Sequence, residues 1–234
     1  MKIVTNEKLI RRNSRIGMTA TLAGLLVLLG GFVISMQSRD SSMFNVMWGA
    51  LLLGFLLSQV GIYFGNRWGR RPRPDEALDQ ALKGMDDRYT VYHYTTPVAH
   101  LLVGPVGLWV LETYPQPGKV VYNEKKKRWQ QKGGSFLQKY MRIFAQESLG
   151  RPDLDVEIDL EKINRHLKAR LPDMELPEVQ AALVFINPTA DVSECDSATV
   201  PALLSKELKE YLRKTSKGKL VPTDTLKQIN EGLA

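Results

Sequence analysis

The sequence predicts an α+β domain carried on an N-terminal transmembrane helical hairpin, and three observations predict it. Residues 16–36 and 43–64 contain no Asp, Glu, Lys, Arg or His. Beyond them, short segments rich in β-branched and aromatic residues give way to segments of helical period. Residues 179–186 (VQAALVFI) then form a nearly continuous apolar run, as expected of a strand covered on both faces of a sheet.

The hairpin follows from length and charge. A helix rising 1.5 Å per residue needs about 20 apolar residues to cross a hydrocarbon core of roughly 30 Å, and both stretches have that length. Only residues 37–42 separate them, with Arg39 and Asp40 cancelling, so the second helix must turn straight back. Lys2, Lys8, Arg11, Arg12 and Arg15 precede the first span, and Arg67, Arg70, Arg71 and Arg73 follow the second. Basic flanks stay on the cytoplasmic side, which predicts a two-pass protein of a prokaryotic plasma membrane with both termini inside. The first span is too long for a signal-peptide core and lacks a small-x-small cleavage site after it. Ala20 with Gly24, and Gly61 with Gly65, have the spacing of small residues at helix contacts.

A formal net charge of +7 and a pI near 9.4 would suggest a polyanionic partner. By segment, however, residues 1–15 and 67–74 each carry +4, residues 16–66 carry zero, and residues 75–234 carry −1. The excess therefore belongs to the membrane flanks, where it meets anionic lipid headgroups. One local cationic run remains in the domain: Lys125, Lys126, Lys127 and Arg128, followed by Trp129. It is a candidate contact for nucleic acid or another anion, or a solvated turn beside a packed Trp. The single Cys195 can form no internal disulfide and suits a reducing compartment. With Glu194 and Asp196 beside it, it reads as structural rather than nucleophilic. The chain has no internal repeat, Gly-rich phosphate loop or His/Cys cluster of metal spacing.

The basic Arg/Pro linker at residues 67–74 ends in RRPRP, a stiff segment because each Pro fixes its own φ and restricts the residue before it. The domain is expected to occupy residues 75–234. A helix over 75–82 comes first, with strands over 89–94, 100–103, 108–113, 120–122 and 128–131 as a meander. Helices over 136–149 and 154–171 follow, then the 179–186 strand, and amphipathic helices over 200–212 and 223–233.

Within the meander, HLLVGPVGLWVLETY at residues 100–114, preceded by Ala99, resembles the nuclease-related domain (NERD) family. That family's core reads Asp-His, an apolar strand, Gly-Pro-x-Gly, a second apolar strand, then Glu-x-Lys. Glu76, Gly118, Trp129 and the VQAALVFINP segment follow in the same order, so the likeness spans about residues 75–213. It implies a restriction-endonuclease-like fold, a mixed central sheet with flanking helices. In such a site an Asp and a Glu hold Mg²⁺, and a Lys two residues past the Glu stabilises charge developing on phosphate. Here Ala99 stands at the Asp position and Tyr114 at the Lys position. A methyl ligates no metal, and a phenol carries no charge at neutral pH.

The resemblance therefore points to a degenerate member. Glu112, Glu76 and His100 remain as remnant site residues, with Glu112 as the metal candidate. The expected function is a membrane-anchored binding or scaffold module, a pseudoenzyme needing no cofactor, with the bilayer, a cytoplasmic protein or a second copy as partner. An active nuclease with a relocated Mg²⁺ site at Glu112, helped by Glu76, Asp79 or Lys119, is the alternative. A nucleic-acid tether acting through Lys125–Trp129 is the third reading.

Overall fold

The computed structural model describes residues 1–37, 43–132, 149–215 and 220–233. They fall into two compact units: Glu7–Arg73, and a domain combining Met1–Asn6 with the described chain from Pro74 onward.

In the first unit, α1 (Glu7–Gln37) and α2 (Met43–Phe64) are both long and apolar enough to cross a membrane. The helix begins nine residues before the apolar stretch, because the Lys and Arg of the flank are good helix formers. Large side chains point outward: Leu26 is 69% exposed, Phe32 62% and Leu52 62%. Inward, Ile10, Gly17, Gly24 and Gly31 are buried at intervals of seven, facing buried Gly54 and Gly61 of α2. A Cβ on Gly17 would lie 3.0 Å from the Phe64 Cβ, one on Gly31 would lie 2.8 Å from the Ala50 Cβ, and one on Gly61 would strike Thr21. Glycine thus lets the two backbones touch, and the heptad interval keeps the seam aligned along both helices. Of the small residues singled out by spacing, Gly24 and Gly61 lie in the seam, while a Cβ on Gly65 would meet open space. The loop expected over residues 37–42 lies, apart from Gln37, outside the described residues. After α2 the chain makes one π-helical turn, Gly65–Gly69.

The domain contains a six-stranded sheet among the described residues, in the order β1 (Lys2–Thr5), β2 (Thr90–His93), β3 (His100–Gly104), β4 (Gly107–Tyr114), β7 (Val179–Phe185) and β9 (Ala202–Leu204). Strands β2, β3 and β4 form the antiparallel meander, whereas β1 on β2, β7 on β4 and β9 on β7 are parallel. The β3–β4 turn closes at Gly107, whose φ of +103° suits glycine. Helix α3 (Pro74–Leu82) packs Leu78 and Leu82 on one face beside Leu208 and Leu212 of α5 (Ser205–Thr215). On the other face lie Val156, Ile163 and Leu167 of α4 (Pro152–Arg170), with Leu226, Ile229 and Leu233 of α6 (Thr223–Leu233). A smaller sheet, β6 (Arg128–Lys132), β5 (Gly118–Asn123) and β8 (Ala190–Glu194), adds Val120 and Trp129 to that second core. Strands β4 and β7 pair centrally. Alternate side chains of β7, such as Leu183 and Val184, enter opposite cores, as the apolar run predicts.

Five strands depart from the sequence reading. Residues 120–122 and 128–131, expected to extend the meander, instead form β5 and β6 of the smaller sheet, because the chain leaves β4 through Pro115 and Pro117 and pairs with β8. Lys2–Thr5 belongs to no separate basic flank but extends the domain sheet, pairing Lys2 with Thr90 through Thr5 with His93. The domain is therefore discontinuous, and residues 75–234 lack one of its strands. Residues 200–212 are not one helix, because Pro201 precedes Ala202–Leu204, which pairs with β7, and helix begins only at Ser205. Strand β8, to which the sequence pattern assigns no element, pairs in parallel with β5. The helix expected over 136–149 lies outside the described residues except for Leu149.

Candidate functional site

Side chains alternate across a strand, so the residues around the remnant motif separate onto two faces. Val110 and Tyr114 join the α4 core, which places Glu112 between them on that face. Leu101 and Val103 of β3 join the same core, whereas His100 and Leu102 turn toward α3. The structure therefore places Glu112 and Tyr114 on one face and His100, with Glu76 of α3, on the other, while Ala99 lies just before β3 in the β2–β3 connection.

On the α4 face, Tyr114 takes the place of the expected cation and uses it for packing. Its ring is 7% exposed and stacks on Phe185 at 5.5 Å, and its hydroxyl lies 3.5 Å from Asp155 Oδ2 at the start of α4. Asp155 was not foreseen, since nothing in sequence spacing ties the first turn of a helix to a strand 41 residues earlier. Lys119, a candidate substitute cation, is instead engaged by Glu194 on β8 at 2.6 Å. This hydrogen bond and its charge raise the Lys119 pKa and lower that of Glu194.

On the α3 face lies a buried relay. His93 and His100 stand opposite each other in the β2–β3 register, with their Nδ1 atoms 2.8 Å apart. His93 Nε2 lies 3.0 Å from Asp79 Oδ1 on α3, so His93 donates there. The Nδ1 contact needs one proton between the two rings. His100 is 2% exposed, and burial, then the neighbouring His93, holds its pKa well below the usual imidazole value. The Tyr94 ring closes against His100 at 5.0 Å. Asp79, the other proposed helper of Glu112, is thus committed to His93 instead. A sequence signal for this pair exists: two His residues equidistant from a short turn must face each other in an antiparallel hairpin.

Of the cationic run, Lys125, Lys126, Lys127 and Arg128 are exposed at the β5–β6 turn. Trp129 is packed against Tyr122 with ring centroids 5.2 Å apart, which removes it from any stacking role. Cys195 is buried, its thiol donating to the Val120 carbonyl at 3.3 Å, and burial pushes its pKa up to about 11.

The methyl of Ala99 offers a metal no ligand, and among the described residues no three His, Cys, Asp or Glu side chains converge to hold a metal. No family model, curated protein or solved structure matches the chain.

Proposed function

We propose that this chain is a two-pass membrane protein whose domain is a catalytically degenerate, NERD-like module that binds or scaffolds at the cytoplasmic face. The mixed sheet with helices on both faces agrees with the restriction-endonuclease-like architecture the resemblance implies. The observation that carries the reading is Tyr114. At the position where a phosphodiester-cleaving site needs a mobile cation, the chain has a ring stacked on Phe185 and directed at a carboxylate. Without the Lys, charge developing on a phosphate goes uncompensated, and removing one such stabiliser costs about 10²–10³ in rate. Without an Asp at position 99, the metal that would activate water loses a ligand as well.

The orientation rests on two supports. Nine basic residues flank the apolar helices, and β1 before α1 shares a sheet with β2 after α2. A chain that crosses twice brings both back to the same side, which the flanking charge assigns to the cytoplasm.

The test is a nuclease assay on the purified full chain, with Mg²⁺ or Mn²⁺ and single- or double-stranded DNA or RNA. Cleavage should not exceed that of a Glu112→Ala control. Divalent-dependent cleavage by the unaltered chain that disappears in Glu112→Ala would refute the binding role and establish the relocated-site nuclease.

A further inference from the structure

Beneath the tight glycine seam the hairpin opens into a cleft of about 450 Å³, within the size range of small-ligand sites. Arg11 and Arg15 of α1 line one side, and Trp68, Arg71 and Arg73 from the turn after α2 line the other. Glu7 is the one acidic group among the lining residues, so the walls carry a net charge of +3. The cleft's position follows from the seam. Ile10 and Gly17 continue the buried heptad line, and Gly17 lets Phe64 and Gly65 approach so closely that the π-helical turn is held against the first turns of α1.

Its depth relative to a bilayer follows from the sequence of α1, since uncharged residues begin at Ile16, directly after Arg15. Trp68 packs on Phe64 at 5.2 Å and on Tyr63 at 6.1 Å, an aromatic cluster of the kind that favours the headgroup level. Arg67 is turned away, its guanidinium donating to the Tyr63 hydroxyl at 2.7 Å, and does not line the cleft. The cavity therefore combines four guanidinium groups, whose forked donors match phosphate oxygens, with an apolar wall of Ile10 and Trp68.

We propose that this cleft binds the phosphate group of an anionic phospholipid, with arginines on the headgroup and the Ile10 and Trp68 wall along the start of the acyl chains. The inference requires only that α1 and α2 span the membrane and does not depend on the nuclease-fold reading. Arginines drawn from both ends of the hairpin would share one lipid, so a bound lipid would tie the two ends together.

The test uses the purified full chain in a neutral detergent, titrated with dioctanoyl phosphatidylglycerol, dioctanoyl phosphatidylcholine or inorganic phosphate and read by native mass spectrometry. Phosphatidylglycerol should bind saturably at one per chain. The double variant Arg15→Gln, Arg71→Gln removes one guanidinium from each wall and should weaken that binding by about tenfold or more, the loss expected for charge-assisted hydrogen bonds. Arg12→Gln with Arg70→Gln removes the same charge outside the cleft and should leave the affinity within about twofold, since exposed charges interact weakly. Circular dichroism of both variants checks that the hairpin is intact. Equal loss in the two double variants would reduce the effect to general surface charge and overturn the site. Phosphatidylcholine binding as tightly as phosphatidylglycerol would overturn the anionic preference, and inorganic phosphate binding as tightly as the lipid would overturn the lipid assignment.

Discussion

Burial of the His93–His100 pair makes the stability of the domain depend on pH in a calculable way. His100 is 2% exposed, and its folded pKa lies well below the usual value because burial penalises the imidazolium. In the unfolded chain it titrates near 6.5. Above that pH both states are neutral at this residue and it contributes no pH dependence. As the pH falls below about 6.5 the unfolded chain takes up a proton that the folded one refuses, so stability falls, by at most about 1.4 kcal/mol per pH unit. Integrated from pH 7 to pH 5, with His100 neutral when folded, the loss is about 2 kcal/mol, a large share of a typical stability of about 5–15 kcal/mol. Other groups titrate too, so the informative quantity is a difference. His100→Asn places an amide near Nδ1 that can donate or accept toward His93 but cannot ionise. Urea unfolding of the domain in the full chain, followed by tryptophan fluorescence at pH 7, 6 and 5, should show the native protein losing about 2 kcal/mol more than His100→Asn. Parallel losses in the two proteins would refute a buried, neutral His100.

The remaining predictions address other parts of the molecule. Cys195, with a thiol pKa near 11 and a buried sulfur, should resist iodoacetamide at pH 8 in the folded chain and react readily in urea; equal rates in both would show that it is accessible. Val184 is fully buried beside Leu208 and Leu212, so Val184→Asp should cost several kcal/mol and leave the domain unfolded or protease-sensitive, whereas an unchanged urea midpoint would contradict the core assignment. A reporter fused after Ala234 should be inaccessible from outside intact cells, and external labelling would reverse the orientation. Deleting residues 2–5 should destabilise the domain measurably, because Thr90–His93 would lose the parallel strand paired with it and the Tyr89 carbonyl would lose the Lys2 amide.

How much of this was legible depended on how local each signal is. Strands β4 and β7 declare themselves through continuous apolar runs, and α2 matches its uncharged stretch residue for residue. Strand β1 does not declare itself. Four residues, KIVT, in a basic context carry too little pattern, and their pairing with Thr90–His93 crosses the whole hairpin. Strand β9 is only three residues long and adopts strand geometry because β7 offers an edge. The glycine seam was half visible: the eye catches intervals of four, whereas the helices mesh at intervals of seven.

The site shows the same limit at the level of faces. Successive residues of a strand point to opposite sides of the sheet, so His100 and Leu101 of β3 enter different faces. His100, the first residue of β3, turns toward α3 and so away from the face that carries Glu112. There His100 belongs to a buried hydrogen-bonded chain with His93 and Asp79. Each face has been committed to packing by a different substitute: Tyr114 against Phe185 on one, the histidine pair against α3 on the other. On the proposed degenerate-nuclease reading, activity would demand more than Ala99→Asp with Tyr114→Lys, because a lysine at 114 would give up the Phe185 stack and place its ammonium near Asp155. That double variant should gain no divalent-dependent cleavage, and its stability should fall by about 1–3 kcal/mol for the lost aromatic packing. Cleavage appearing in it would show that the surrounding shell still supports catalysis and that the degeneration is confined to those two positions.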